Sequence, residues 1–196
     1  AVNTLGRHVE VVEVGWTEAV RTVCIESGSG SVDVRGTDQP GVRGTRRTQQ
    51  GLQGPRISER VEGDTLVLTS LCPGMATPWC GSSYTLEVPR SVRIEVEAGT
   101  ASTTVRGTDG GVVVDSGTGQ VDLWDVGGQL DLQTGTGSVE GRDLRSGAVR
   151  AETGAENVDS QREDVGEFIG FLNTALLIFA GVSLFVAAFL IFNTFS

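Results

Sequence analysis

The chain has 196 residues with a formal net charge of -10, 15 arginines and no lysine, one histidine, one tyrosine and 28 glycines. The acid excess argues against nucleic acid or an anionic lipid surface as a partner. One histidine without any lysine leaves little from which to build a base beside a nucleophile, so the expectation is a non-enzyme with no catalytic, cofactor-binding or metal-binding residues and no cofactor.

The chain opens at Ala1 and its one methionine is Met75, which reads as a processed product or a piece of a longer frame. No charged stretch followed by an apolar run stands at the start, so a secretion signal is either removed or outside this sequence. Val23-Cys24-Ile25 reads as strand, with Cys24 as a small buried hydrophobe. Ser27-Gly28-Ser29-Gly30 is a glycine turn, and Val32-Asp33-Val34 alternates after it. From Gly41 to Pro89 the rhythm is lost, although strands are expected at Ile57–Val61, Thr65–Thr69 and Tyr84–Val88, as a cap or lateral excursion. Arg43, Arg46, Arg47 and Arg56 form a basic patch there, read as a solvated strand face and loop balancing nearby acids. Cys72 and Cys80 bracket a segment that two prolines and a glycine already bend. A disulfide between them is expected, and with it an oxidising, extracytoplasmic compartment.

Beyond Pro89 a repeat appears. Gly99, Gly117, Gly135 and Gly154 each sit in a small-residue turn, at steps of 18, 18 and 19 residues. Between the turns, Gln120-Val121-Asp122-Leu123 and Gln129-Leu130-Asp131-Leu132 place aliphatics on one face and aspartates on the other, the period of a half-buried strand. The expected fold class is all-β: a β-solenoid-like stack of short strands with about 18-residue repeats, followed by one transmembrane α-helix. In that register Val121 and Leu123 lie near Val139 in a buried row, with Asp122 and Asp131 in water. An antiparallel meander folded into a sandwich is the alternative, since Gly110-Gly111, Gly127-Gly128 and Ser146-Gly147 also suit hairpin turns. Calcium does not fit. In Gly117-Thr118-Gly119-Gln120-Val121-Asp122 the position that binds the ion in glycine-aspartate coils holds Val121, and a one-residue shift turns Asp122 to the other face. Asp115, Asp122, Asp131 and Glu140 recur with the repeat, as solvent-facing positions do.

From Phe168 to Phe192 there is no charged residue. A bilayer core about 30 Å thick takes roughly 20 helical residues, so this run is long enough to span it. The expected organisation is an extracytoplasmic β-repeat head over residues 1–156, a polar stalk over 157–167, a transmembrane helix over 168–192 and a truncated tail over 193–196, which lacks the usual Lys or Arg. Gly170, Thr174, Gly181 and Ala188 fall near one face of the helix, a small-residue stripe suited to helix packing.

Two family resemblances rest on these residues. Ser27 to Val34, Gly63-Asp64-Thr65-Leu66, the Cys72–Cys80 loop followed by Tyr84-Thr85-Leu86-Glu87-Val88-Pro89, and the repeats from Gly99 to Gly154 resemble a family of bacterial adhesin-like β-strand-repeat domains of unknown function, over about residues 20–159. The resemblance implies a secreted or membrane-tethered head. Residues 161–196, through Gly166-Glu167-Phe168-Ile169-Gly170-Phe171-Leu172-Asn173-Thr174 and Phe192-Asn193-Thr194-Phe195-Ser196, resemble a transmembrane helix of FtsX/MacB-type ABC transporter permeases. That second likeness implies further transmembrane helices and a cytoplasmic ATPase as partners. The functional expectation is a single-pass protein of the cell membrane whose extracytoplasmic head serves adhesion or display to an unidentified ligand. The alternative is a fragment of such a permease carrying a β-repeat outer domain.

Overall fold

The computed structural model describes residues 8–74 and 79–154. Every regular element in them is a strand: β1 (His8–Trp16), β2 (Thr22–Thr37), β3 (Val42–Gln50), β4 (Arg56–Glu62), β5 (Thr65–Leu71), β6 (Gly81–Pro89), β7 (Arg93–Arg106), β8 (Val112–Thr118), β9 (Val121–Trp124), β10 (Gly127–Thr136), β11 (Val139–Arg142) and β12 (Arg145–Thr153). Among the described residues no helix is long and apolar enough to cross a membrane. The expected stalk, the 168–192 helix, its packing residues and the tail all lie outside the described residues.

All twelve strands belong to one hydrogen-bonded sheet, because β2 and β7 run unbroken through a bend and pair on both sides of it. The first half of β7 pairs with β8 and its second half with β9, both in parallel. The next repeat continues the two limbs as β10 and β11, again parallel. Each residue therefore stands opposite the one 18 positions later: Ile94, Val112 and Leu130 form one row and Val96, Val114 and Leu132 another, all buried. Val23 and Ile25 of β2 extend these rows on one side, and Leu66 and Leu68 of β5 extend them further. Burying each such side chain contributes about 1.5–3 kcal/mol, and a row is complete only when its neighbours are in place.

Val121 lies opposite Val139 and, with Leu123, is fully buried. Asp122 and Asp131, expected in water, are half-buried, as is Val139. The glycine pairs do not make hairpins: Gly127-Gly128 begins β10, which runs parallel to its neighbours. The 19-residue step has a local cause. Gly127 opposes Arg145 at 18 residues but Leu130 opposes Val149 at 19, so a bulge absorbs the extra residue.

The bend explains the recurring glycine phrase. A Cβ on Gly117 would stand 2.8 Å from the carbonyl oxygen of Gly99, and one on Gly135 2.7 Å from that of Gly117. These glycines stack on one another's backbones, and no side chain fits between. The residues just before them, Ser27, Ala98, Ser116 and Thr134, also share a row and are buried. Where the two limbs meet there is room inside for small side chains only.

The irregular stretch joins the other side of the stack. β5 and β6 run parallel to the two halves of β2, but the offset grows from 43 residues (Thr22 opposite Thr65) to 52 (Val32 opposite Tyr84), an insertion of nine at the bend. Here the Cys72–Cys80 disulfide, with an S–S distance of 2.02 Å, closes the inserted loop. The loop is held to β2 by the Ser29 hydroxyl, which donates to the Cys80 carbonyl at 2.8 Å. Antiparallel strands finish this side, β4 on β5, β3 on β6 and β1 on β3.

Alternation splits the basic patch. Arg43 is exposed and pairs with Glu87 at 2.8 Å. Arg46 lies opposite fully buried Tyr84, forms an ion pair with Glu59, and has a side chain only 13% exposed. The Tyr84 hydroxyl donates to the same carboxylate at 3.4 Å. Burial raises the Tyr84 pKa, the negative Glu59 adds to the rise, and Arg46 partly opposes it. Cys24 also departs from expectation: Val23 and Ile25 take the core, so Cys24 faces the other way, half-buried beside Glu95. Burial and then the carboxylates of Glu95, Glu26 and Glu97 raise its pKa, which keeps the thiol protonated.

Candidate functional site

Because the strands are parallel and in register, residues far apart in sequence form straight rows on the outside of the second limbs. The most distinctive runs Glu87, Arg35, Arg106, Trp124, Arg142 across β6, β2, β7, β9 and β11. Neighbouring strands are about 4.8 Å apart, so these side chains stand shoulder to shoulder. Trp124 is 41% exposed. The Arg106 Cζ lies 4.8 Å from the centroid of its ring, and the Arg142 Cζ, from the strand on the other flank, lies at 5.5 Å. A cation over indole gains about 0.5–1 kcal/mol at an exposed site, so each guanidinium is drawn to the ring.

The charges in this row are unevenly matched. Arg142 forms an ion pair with Glu140, and Glu87 is engaged by Arg43. Arg35 and Arg106 form no ion pair among the described residues, although nine of the other eleven described arginines do. Like charges directly opposite on adjacent strands repel. In so acidic a chain, two unneutralised arginines side by side are a local arrangement that stability alone does not favour.

A cavity of about 510 Å³ opens over this pair, bounded by Asp33, Arg35, Arg90, Arg106, Trp124 and Asp125. Its rim is fastened by ion pairs at the turns. Arg90 donates to the Gly107 carbonyl at 3.0 Å and pairs with Asp38 at 3.2 Å and Asp125 at 3.9 Å. Arg145 holds the other side of Asp125 at 2.9 Å and reaches Asp109 at 2.7 Å. Asp125 is thus compensated from both sides, whereas Asp33 has no ion-pair partner among the described residues. The turn is itself a repeat feature: Gly107, Asp125 and Asp143 stand 18 residues apart and all take left-handed backbone angles, φ 69°, 54° and 54°, a conformation that aspartate tolerates better than most side chains.

Sequence reasoning missed this site. It singled out Arg43, Arg46, Arg47 and Arg56, which the fold distributes over two faces and an edge strand. A signal is present in the sequence, since Arg106, Trp124 and Arg142 follow the same 18-residue step as the glycines. Among the described residues no group of three or more His, Cys, Asp or Glu side chains is placed to hold a metal ion.

No protein-family model and no curated protein matches the sequence. Among solved structures the chain is similar to a "putative cell adhesion protein" from Clostridium sporogenes, with a TM-score of 0.44 and 12% identity over 75% of this chain and 99% of that one. It is also similar to two proteins each described as a "putative adhesin". The one from Parabacteroides distasonis gives a TM-score of 0.42 at 8% identity, covering 74% of this chain and 70% of that one. The one from Parabacteroides merdae gives 0.34 at 7%, covering 74% and 77%.

Proposed function

We propose that this chain is a non-enzymatic, adhesin-like display protein: a β-solenoid-like head outside the cytoplasm, tethered to the cell membrane by the 168–192 helix, with the Trp124 face turned to a ligand. The observation that carries the reading is the row Arg35, Arg106, Trp124, Arg142, an exposed aromatic and two arginines without an ion pair among the described residues, aligned on a parallel stack. The parallel ladders with their 18-residue offset support the solenoid reading. The disulfide supports an oxidising compartment, and the uncharged run from Phe168 to Phe192 supports the tether.

The test is to place the full chain in a bacterial membrane. External protease should remove the head from intact cells, deletion of 168–192 should release it, and cells bearing it should gain adherence that Trp124→Ala removes. A head protected from external protease, or adherence indifferent to Trp124→Ala, overturns the reading.

One observation favours a second reading. The wording of residues 166–177 and 192–196 resembles an FtsX/MacB-type permease helix, and on that reading the head is the outer domain of a transporter coupled to a cytoplasmic ATPase. Gly181→Leu then disrupts assembly with other helices. On the tether reading it changes neither oligomeric state nor partner recovery.

A further inference from the structure

We infer that the cavity over Arg35 and Arg106 binds a carboxylated saccharide, a uronic-acid-type sugar, with its carboxylate on the two guanidinium groups and its hydroxyls directed to Asp33; this rests on the Trp124 face being the ligand face. Arg106 is the better-placed cation of the pair. Its guanidinium carbon lies 4.8 Å from the centroid of the Trp124 ring, a cation–π contact that does not consume its N–H donors as an ion pair would. Arg142, the other cation on that ring, is already committed to Glu140. Arg35 stands opposite Arg106 on the next strand, also without an ion pair among the described residues. Two adjacent forks, one of them drawn to the indole, match a carboxylate, which accepts such bonds in pairs.

The rest of the lining narrows the ligand. Asp33, two residues before Arg35 on the same face of β2, puts an acceptor-only group beside the donors. A dense polyanion such as nucleic acid would meet both that carboxylate and the chain's net charge of -10. A ligand in which each carboxylate is set among several hydroxyls uses both signs. The volume of about 510 Å³ falls in the range of small-molecule sites, about 300–1,000 Å³, which is larger than a lone carboxylate requires.

The experiment titrates the full chain, held in nanodiscs of uncharged lipid, by calorimetry with trigalacturonate, its methyl ester and triglutamate. Trigalacturonate should bind saturably. The ester and triglutamate should each bind about tenfold or more weakly, as expected when a charged hydrogen-bond pair is lost or the hydroxyls are missing. Arg35→Gln and Arg106→Gln should each weaken trigalacturonate about tenfold or more, and Arg56→Gln, which removes an arginine away from the cavity with no ion pair among the described residues, should leave it unchanged. Equal binding of the ester refutes the carboxylate site, and equal binding of triglutamate refutes the saccharide in favour of an acidic peptide. Equal loss with Arg56→Gln reduces the effect to general charge, and no saturable heat with trigalacturonate rejects the ligand class. If the ligand class fails while Trp124→Ala still abolishes adherence, the display reading stands without it; if adherence is also indifferent to Trp124→Ala, both fall.

Discussion

The two halves of the head solve the same packing problem by different means. From Arg93 to Thr153 each strand pairs in parallel with the one a repeat away at a near-constant offset, and the bend between limbs is made by glycines stacked on glycines. From Val42 to Pro89 the pairings are mixed, the offset changes within one turn of the stack, and the bend is opened by nine residues. That half carries the disulfide and the half-buried Arg46–Glu59 pair. Regular repetition lets backbone proximity hold the bend, so the requirement there is empty space. Where repetition breaks, specific bonds take over.

The largest test of this contrast compares two glycines. Gly117 has a backbone angle open to any residue but lacks space, whereas Gly63, in the β4–β5 hairpin, has space but a φ of 65°. Gly117→Asn should destabilise the head by about 1–3 kcal/mol or more, because the Gly99 carbonyl it strikes is backbone. Gly63→Asn should cost well under about 1 kcal/mol, since asparagine tolerates the left-handed region. Urea unfolding of both variants measures the difference, and equal costs would break the comparison.

Next in size is the disulfide. Replacing Cys72 and Cys80 together by serine should cost about 2–3 kcal/mol, the entropy of a loop this short. Amide exchange should locate the loosening in β5 and β6 and leave β8 to β11 unchanged.

The Tyr84 cluster gives a smaller, pH-dependent effect. The folded pKa of Tyr84 lies above its ordinary value of 10.0, so below that value the group is neutral in both states and its full contribution is present. As pH rises through 10 the unfolded chain ionises first, and stability falls until the folded pKa is passed. Wild-type stability should therefore drop in this alkaline window. Tyr84→Phe should lose that component of the slope, at a cost near neutral pH of about 1 kcal/mol for one hydrogen bond. Tyr84 is the chain's one tyrosine, so tyrosinate absorbance reads its ionisation directly. The outer row comes last: Trp124→Ala should cost about 1–2 kcal/mol, about 0.5–1 for each of its two exposed cation contacts, while removing adherence.

Much of the regular half was legible. Val121, Leu123, Leu130 and Leu132 alternate with polar residues and are buried as that alternation requires, and the glycine steps match the ladder offsets, including the bulge at the 19-residue step. In the irregular half, strand positions were legible but partners were not. Nothing near Arg46 in sequence marks it as the side chain that turns inward to Glu59 and Tyr84, because strand alternation assigns faces without saying which face another strand will cover.

The sequence by itself determined an all-β head with an 18-residue rhythm, a disulfide-sized loop and an apolar run from Phe168 to Phe192, since each depends on spacing and composition along the chain. Only the tertiary structure decided that neighbours run parallel, that β5 and β6 stack outside β2 although they follow it in the chain, and that Arg35 comes to lie beside Arg106, 71 residues away. Local periodicity fixes which side chains share a face. Which strands become neighbours, and hence which charges meet, depends on the order of stacking, and that order is set by how the whole chain best covers its apolar rows.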